Sequence, residues 1–117
     1  MDRLTYEIPS IPPSNNRFIG RTNYREYQRI KKQWAELIAE RCQPRPKEPL
    51  SGVTVKISYY FPDNRRRDCD NYSGKMILDG LVKAEIIKDD SFKEISLLLD
   101  AYFGSKEAKT VIEIEEQ

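Results

Sequence analysis

The spacing of apolar residues changes repeatedly along the chain, and this change of period is the strongest constraint on its fold. Residues 53–60, VTVKISYY, place Val53 and Val55 on one side, which is the two-residue period of a β-strand. From residue 24 to about 42, apolar side chains instead recur at steps of three and four residues. That period predicts an amphipathic helix, whose opposite face is rich in Lys and Arg. The chain therefore combines helices with a sheet.

The other periodic segments complete this pattern. Residues 4–8 alternate and predict a short strand, while an apolar stripe from 75 to about 84 predicts a second helix. Residues 94–103 and 109–115 also alternate, and we expect them to form an antiparallel pair through the turn at 104–106. The order β-α-β-α-β-β predicts an α+β fold in which two helices pack on one face of a mixed sheet.

Loop and cap residues mark where these elements begin and end. Residues 9–23 are rich in Pro, Ser, Asn and Gly and predict a surface loop. Asn23 is expected to cap the first helix, with Glu26 as its capping-box partner. The prolines of QPRPKEP end that helix, and the second helix is expected to begin near 70–73.

A chain of 117 residues has the size of one domain, so we expect a single domain over residues 1–117. The N-terminus lacks a basic stretch followed by an apolar run, and no segment approaches the roughly 20 apolar residues that span a bilayer. We therefore expect a cytoplasmic protein that does not bind a membrane. Cys42 and Cys69 lack the C-x-x-C spacing of zinc sites and are expected to be reduced thiols.

Composition limits the available chemistry. The chain contains no histidine, which excludes Ser-His-Asp and Cys-His catalysis and leaves carboxylates, lysine or metal-bound water. Residues 1–60 contain 11 Lys and Arg against 6 Asp and Glu, whereas residues 61–117 contain 9 against 13. The net charge of +1 does not itself indicate nucleic-acid binding, but the basic half could bind a polyanion and the acidic half cations.

The stretch RRRDCDNYSGK places Asp68 and Asp70 one residue apart, directly after three arginines. In an extended segment, residues i and i+2 project to one side, so both carboxylates can point to one place. A proton, a basic neighbour or a divalent cation would relieve their repulsion, and Mg²⁺ suits such hard oxygen ligands. The commoner role of an isolated Asp-x-Asp is structural, with Asp70 capping the second helix and Asp68 paired with an arginine.

A second acidic pair, Asp89 and Asp90, follows the second helix. Because that helix leads away from the first acidic pair, the next strand must bring the second pair back. We expect a strand beside the one that ends at Phe61 to do so and to bring both pairs together. A simple turn before Ser91 is the alternative.

Two well-known binding motifs are excluded by the residues of the chain. A calcium loop starting at Asp68 would need an oxygen ligand where Tyr72 stands and glycine where Ser73 stands. The chain also lacks a glycine-rich phosphate loop of the Walker type, so no nucleotide cofactor is expected.

Basic and amide side chains accompany the aspartates. Guanidinium groups beside metal-binding carboxylates suit a phosphodiester, because they bind its nonbridging oxygens while cations neutralise the same group. Ordinary solvated charge is the alternative for each arginine. Lys75 could stabilise charge on the phosphate or the leaving oxygen, or pair with Asp79 four residues later. The candidate DNA-binding residues are Ser14, Asn15, Asn16, Arg17, Arg65, Arg66 and Arg67.

With these motifs, most of the chain closely resembles the RusA family of Holliday junction resolvases. The resemblance rests on IPPSNNR, RRRDCDNYSGK, LDGLVKAEII and KDD, which occur in the order of the family pattern. It implies that Asp68, Asp70 and Asp90 are catalytic, metal-binding carboxylates, with Asp89 as their neighbour in the metal site. It also implies that Lys75 is the catalytic lysine.

One departure concerns Lys75. The family pattern has one residue fewer between the second aspartate and the lysine, and SG at 73–74 is the longer variant. A one-residue insertion rotates a helical side chain by about 100°, which places the role of Lys75 in question.

The resemblance also implies the substrate and cofactor. The substrate is a four-way DNA junction nicked symmetrically in two strands during recombination and repair, and the cofactor is Mg²⁺, with Mn²⁺ as a substitute. Because a junction is nearly two-fold symmetric, paired cuts require a homodimer with two sites. Two alternatives are a branched-DNA binding protein without catalysis and a phosphohydrolase of small nucleotides, which would need an apolar pocket around the aspartates.

Overall fold

The computed structural model describes residues 3–18 and 23–117 and confirms the predicted α+β fold and element order. Residues 19–22, which belong to the loop expected over 9–23, lie outside the described residues. Single 3₁₀ turns, Asn15–Phe18 and Cys69–Tyr72, precede the first and second helix. The elements are β1 (Leu4–Ile8), α1 (Tyr24–Arg41), β2 (Val53–Tyr60), α2 (Lys75–Lys83), β3 (Ile95–Tyr102) and β4 (Lys109–Glu116).

The sheet has the strand order β1-β4-β2-β3. β2 and β3 are parallel, and β4 is antiparallel to both of its neighbours, β1 and β2. The expected antiparallel pair of β3 and β4 is therefore wrong, because β2 lies between them. The chain after β3 crosses the end of β2, where the Ser105 N–H donates to the Phe61 carbonyl at 3.0 Å. Gly104, with a φ of 72°, turns the chain within this crossing rather than within a hairpin.

Both helices pack on one face of the sheet, as predicted, and the core lies between the two layers. Val55 of β2 and Ile114 of β4 face each other across the sheet and are fully buried, as are Ile38 of α1 and Leu81 of α2. The helices approach closely at Gly80, where an added Cβ would lie 2.7 Å from the Ile38 Cδ1. This packing fixes the sheet ends from which the charged loops extend.

The capping box predicted for α1 is wrong, and α2 begins two residues after the predicted range of 70–73. Asn23 stands at the N-cap of α1, but its side chain makes no capping hydrogen bond. Glu26, its expected partner, forms an ion pair with Arg17 instead. The N-cap of α2 is Gly74, because residues 69–72 already form their own 3₁₀ turn.

Cys42 and Cys69 are free thiols, as expected. Cys42 lies buried at the end of α1, and burial raises the pKa of its thiol to about 12, whereas Cys69 is exposed. Over residues 3–18 and 23–117, neither helix is long and apolar enough to cross a bilayer.

Candidate nucleic-acid and metal site

The RRRDCDNYSGK stretch lies where the chain leaves the C-terminal end of β2. Phe61 is buried, and its N–H donates to the Tyr102 carbonyl at 2.8 Å, which anchors the end of the strand to β3. Pro62 has no N–H to continue this ladder. The charged loop therefore begins from a fixed point at one end of the sheet.

Asp68 and Asp70 lie close together but do not share an extended segment. Asp68 is extended, with φ −91° and ψ 139°, whereas Asp70 lies in the 3₁₀ turn, so the expected strand geometry is wrong. The Asp68 carboxylate accepts a hydrogen bond from the Arg66 Nε at 3.2 Å. The Asp70 carboxylate receives no hydrogen bond from any residue that the structure describes, and Gly74 rather than Asp70 caps α2. The structural alternative is therefore confirmed for Asp68, which pairs with an arginine, and wrong for Asp70, which does not cap α2.

Asn15 joins the N-terminal loop to the acidic turn. Its Nδ2 donates to the Asp70 carbonyl and to the Ser73 Oγ, both at 3.1 Å. These two hydrogen bonds connect segments more than 50 residues apart and hold the backbone that carries the Asp70 carboxylate. Asn15 therefore positions the acidic turn, while its direct contact with DNA stays a prediction.

A polar cleft of about 440 Å³ brings together Asp68 and four of the seven candidate DNA-binding residues. Both the N-terminal loop and the charged loop contribute to its walls, and Asp68 stands among the cationic side chains. Such a cleft offers guanidinium and amide donors to a phosphate group beside a carboxylate. Its lining residues are Ser14, Asn16, Arg66, Arg67, Asp68, Asn71 and Tyr72.

Asp63, which was not predicted from the sequence as a site residue, binds two of the three arginines. Its carboxylate accepts hydrogen bonds from the Arg65 Nε at 3.2 Å and from Arg67 at 2.8 Å. Arg67 also lies 4.2 Å from the centre of the Phe61 ring, and only 11% of its side chain is exposed. Arg66 is 89% exposed and is the arginine most available to a ligand.

These contacts determine the charge state of Asp63. Hydrogen bonds from Arg67, and then from Arg65, hold the pKa of the Asp63 carboxyl well below its usual range. The sequence contained a signal for this network, because Asp63 precedes the two arginines by two and four residues.

Two further basic candidates are engaged in ion pairs. Arg17 pairs with Glu26 of α1. The Lys75 Nζ lies 3.8 Å from the Asp79 Oδ2, which confirms the ion pair that the sequence offered as an alternative. Lys75 is the first residue of α2, and 62% of its side chain is exposed. The lysine therefore stands next to the acidic turn without a contact to either aspartate among the described ion pairs.

An aromatic pocket of about 240 Å³ adjoins the acidic turn. Tyr59, Phe61 and Tyr72 line it, and burial raises the pKa of the Tyr59 hydroxyl. Asp100 of β3 also lines this pocket together with Asp68. Asp100 was not predicted from the sequence, although an acidic residue within the apolar run ISLLLDAY was a signal.

Asp89 and Asp90 lie at the opposite end of the sheet. The Lys88 N–H donates to the Leu50 carbonyl at 2.8 Å, and β3 then runs parallel to β2 from Ile95, which faces Val53. The 8 residues of β3 extend over about 23 Å, at roughly 3.3 Å for each step along the strand. The expectation that this strand brings the two acidic pairs together is therefore wrong within one chain.

In agreement with this separation, residues 3–18 and 23–117 contain no group of three acidic, Cys or His side chains that could hold a metal ion. One chain thus supplies Asp68 and Asp70 at one end and Asp89 and Asp90 at the other.

Comparison with known proteins adds one match. A family model described as Endodeoxyribonuclease RusA matches residues 8–115 of the 117-residue chain. The matched range includes every candidate residue from Ser14 to Asp90. A search of curated proteins found no match.

Proposed function

The chain belongs to the endodeoxyribonuclease RusA family, a family of Holliday junction nucleases, and from this premise we propose that it resolves four-way DNA junctions. It acts as an Mg²⁺-dependent homodimer that cuts two strands symmetrically in recombination and repair. Mn²⁺ substitutes for Mg²⁺. The observation that supports this best is the acidic turn, in which Asp68 lines the cleft together with Arg66 and Arg67, and the Asp70 carboxylate has no hydrogen-bond donor among the described residues.

The donor chemistry of the acidic turn fits Mg²⁺. Asp68 and Asp70 supply exposed carboxylate oxygens, and Mg²⁺ is often held by one or two carboxylates, with its remaining positions taken by water and substrate phosphate. The chemistry supplied by a bound Mg²⁺ is activation of water and neutralisation of charge developing on the phosphate. Because the chain contains no histidine, no imidazole side chain can activate the water in place of Mg²⁺.

The other residues bind and orient the DNA. Arg66 and Arg65 offer exposed guanidinium groups to the nonbridging phosphate oxygens. Asn15 fixes the turn that carries Asp70, and Ser14 and Asn16 offer donors along the sugar-phosphate backbone. In this scheme Lys75 stabilises charge on the leaving oxygen after it releases Asp79.

The second acidic pair supports a dimer. Asp89 and Asp90 cannot join Asp68 within one chain, because β3 holds them at the other end of the sheet. A second copy can supply them, and a two-fold symmetric pair of sites matches the near two-fold symmetry of a junction.

The competing functions make different use of the same surface. A phosphohydrolase of small nucleotides would favour the aromatic pocket without flanking cations, but Arg67 lines that pocket, and Arg66 and Arg67 line the cleft with Asp68. A non-catalytic DNA-binding protein would use Asp68 and Asp70 only to repel and orient DNA, so their neutralisation would tighten binding.

Cleavage of a labelled four-way junction, with and without Mg²⁺, tests the proposal. We expect wild-type protein to cut only with Mg²⁺ or Mn²⁺, and Asp70→Asn to lose at least about 100-fold in rate while it still binds the junction, because a metal ligand is lost. Glu40→Gln, which removes an exposed carboxylate from α1, is the matched control and should cut normally. Equal cutting by wild type and Asp70→Asn would refute the proposal.

A further inference from the structure

The sheet ends in two stacked pairs of aromatic rings where β2 and β3 reach the charged loop. Tyr60 of β2 and Tyr102 of β3 are register partners on the face without helices, and their ring centroids lie 4.8 Å apart with the planes inclined by 17°. The next residues along the chain, Phe61 and Phe103, stack at 5.5 Å and 24° and project to the helical face. A tyrosine stack and a phenylalanine stack therefore stand on opposite faces of this end of the sheet.

A positive charge lies over the β2 ring of each stack. The Lys109 Nζ is 4.8 Å from the centre of the Tyr60 ring, and β4 and β3 flank β2 on opposite sides. Lys109 and Tyr102 therefore cover opposite faces of the Tyr60 ring. Arg67 lies over the Phe61 ring at 4.2 Å. Each stack thus combines a cation with aromatic faces.

The rings at the end of β3 are the open ends of the two stacks. Tyr102 is 43% exposed and Phe103 is 45% exposed. β3 is the edge of the sheet, and no strand within residues 3–18 and 23–117 lies beyond it. Because the 4.8 Å between the tyrosine rings matches the spacing of neighbouring strands, the second face of the Tyr102 ring is directed off this edge. A further flat ring can continue the tyrosine stack there.

Hydrogen bonds hold the Tyr102 ring in this orientation. Its hydroxyl donates to the Asp100 Oδ2 at 3.2 Å, and this hydrogen bond raises the pKa of the Tyr102 hydroxyl. The Asp100 Oδ1 accepts a hydrogen bond from the Ala101 N–H at 2.8 Å, which fixes the carboxylate in turn. A ring that is already ordered loses little conformational entropy when another ring stacks on it.

Both stacks stand at the end of the sheet that carries the acidic turn. The Phe61 N–H donates to the Tyr102 carbonyl at 2.8 Å, and the charged loop follows Phe61 directly. Arg65 and Arg66, whose side chains are exposed, lie in that loop. Exposed cations beside open aromatic rings match a partner that carries both negative charge and flat apolar rings. Single-stranded nucleic acid carries both, in its phosphates and its bases.

We infer that the open rings of Tyr102 and Phe103 bind unpaired nucleobases of the DNA by stacking, an inference that rests on the proposed function. The bases of a continuous duplex already stack on one another, so only an unpaired or splayed nucleotide offers a face to these rings. The branch point, where the helical stack is interrupted, supplies such nucleotides. The two stacks therefore distinguish branched from continuous DNA. They do so without regard to sequence, because every base has an aromatic face.

Binding in EDTA, which prevents cutting, tests the stacks. The probes are a labelled forked DNA with unpaired strands and a blunt duplex of the same length. We expect the double variant Tyr102→Leu, Phe103→Leu to raise the Kd for the fork at least about fivefold and to leave the Kd for the duplex unchanged, because only the fork loses a stacking contact.

Two further variants control this measurement. Tyr102→Phe retains the ring and should bind the fork within about twofold of wild type. Tyr24→Leu, which removes an exposed tyrosine from α1, is the matched control and should bind both probes like wild type. Circular dichroism of each variant confirms folding. A double variant that binds the fork as tightly as wild type, or that loses equal affinity for fork and duplex, would overturn the inference.

Fluorescence detects the stacking itself. A fluorescent adenine analogue, whose emission falls when it stacks, replaces one base in the unpaired strand of the fork. We expect saturating wild-type protein to quench this emission and the saturating double variant to leave most of it unquenched. The same quenching by both proteins would show that the base does not stack on these rings.

Junction cleavage with Mg²⁺ separates this inference from the proposed function. A wild-type protein that quenches the fork but does not cut a junction would sustain the stacks and refute the nuclease proposal. A double variant that binds and cuts junctions as well as wild type would sustain the nuclease and overturn the stacks. Light scattering gives the mass of each protein. A double variant that has lost half the mass of wild type and binds both probes less tightly would assign the rings to a contact between copies, which also overturns the inference.

Discussion

At the scale of single residues, the charged loop is ordered by Asp63 rather than by the aspartates of the Asp-x-Asp motif. Asp63 holds Arg65 and Arg67, and Arg67 in turn covers the Phe61 ring at 4.2 Å. Arg65 and Arg67 therefore bind Asp63 rather than Asp68 or Asp70. Arg66 pairs with Asp68 instead, so among these aspartates only the Asp70 carboxylate has no arginine partner within the described residues.

Because Asp63 binds Arg65 and Arg67 only when its carboxyl is ionised, we expect Asp63→Asn to lose stability in a pH-dependent way. The folded-state pKa of Asp63 is lowered, so its stabilisation is complete above its ordinary value of 3.8 and declines as the pH falls below it. Urea unfolding should show that the variant is less stable than wild type at neutral pH, and that the difference shrinks in acid. Glu40→Gln controls for loss of a surface charge. A difference between wild type and Asp63→Asn that does not change with pH would contradict the assignment.

At the scale of elements, the start of α2 depends on a glycine. Gly74 has a φ of 81°, which side-chain-bearing residues rarely adopt, and an added Cβ would lie 2.7 Å from the Ile57 Cδ1 in the core. The residue therefore lets the chain turn tightly against β2 between the acidic turn and Lys75. The two-residue SG segment is accommodated in this turn, outside the helix.

Gly74→Ala should therefore destabilise the fold by about 2–4 kcal/mol, from backbone strain together with overpacking against Ile57. Gly52→Ala is a matched control, because Gly52 also has a positive φ, of 67°, but an added Cβ there meets no atom within 4 Å. We expect Gly52→Ala to cost only about 1–2 kcal/mol in chemical denaturation. Equal losses in the two variants would show that contact with Ile57 contributes nothing.

The elements also show what a sequence can and cannot predict. The periods of α1 and β2 are local properties of the chain, and both elements are found within a residue or two of their predicted limits. The pairing of β3 is not local, because Gly104 and Ser105 suit a hairpin as well as a crossing over the end of β2. Strand order depends on which neighbour buries the strand, and no turn residue encodes that choice.

The same limit applies to the candidate site. The spacing of Asp68 and Asp70 identified both residues as candidates but predicted an extended segment where a 3₁₀ turn stands. The spacing of Asp63 and Arg67 would have identified their ion pair. The Asn15 hydrogen bonds to the acidic turn, by contrast, join loops that only the folded chain brings together. Contacts of this kind leave no periodic signal in a sequence.

At the scale of the whole molecule, each proposed site takes Asp68 and Asp70 from one copy and Asp90 from the other. In a mixed dimer of Asp70→Asn and Asp90→Asn chains, one site carries both substitutions and the other carries neither. The proposed arrangement therefore allows two inactive proteins to form one intact site.

We accordingly expect either variant alone to be inactive and their mixture, after subunit exchange, to nick one strand of a junction. Differently tagged chains that both carry Asp70→Asn serve as the control and should remain inactive. Co-purification through the tags confirms that mixed dimers form. Mixed dimers without any nicking would contradict a site shared between copies.

The position of β4 has a consequence for how the protein emerges from the ribosome. In the part of the chain that the structure describes, β1 pairs with β4 alone, and Leu4 faces Ile114 from more than 100 residues away. A nascent chain that ends before Lys109 lacks β4 and therefore leaves β1 without its partner in the sheet. High contact order of this kind slows folding, because β1 cannot take its place in the sheet until β4 has been synthesised.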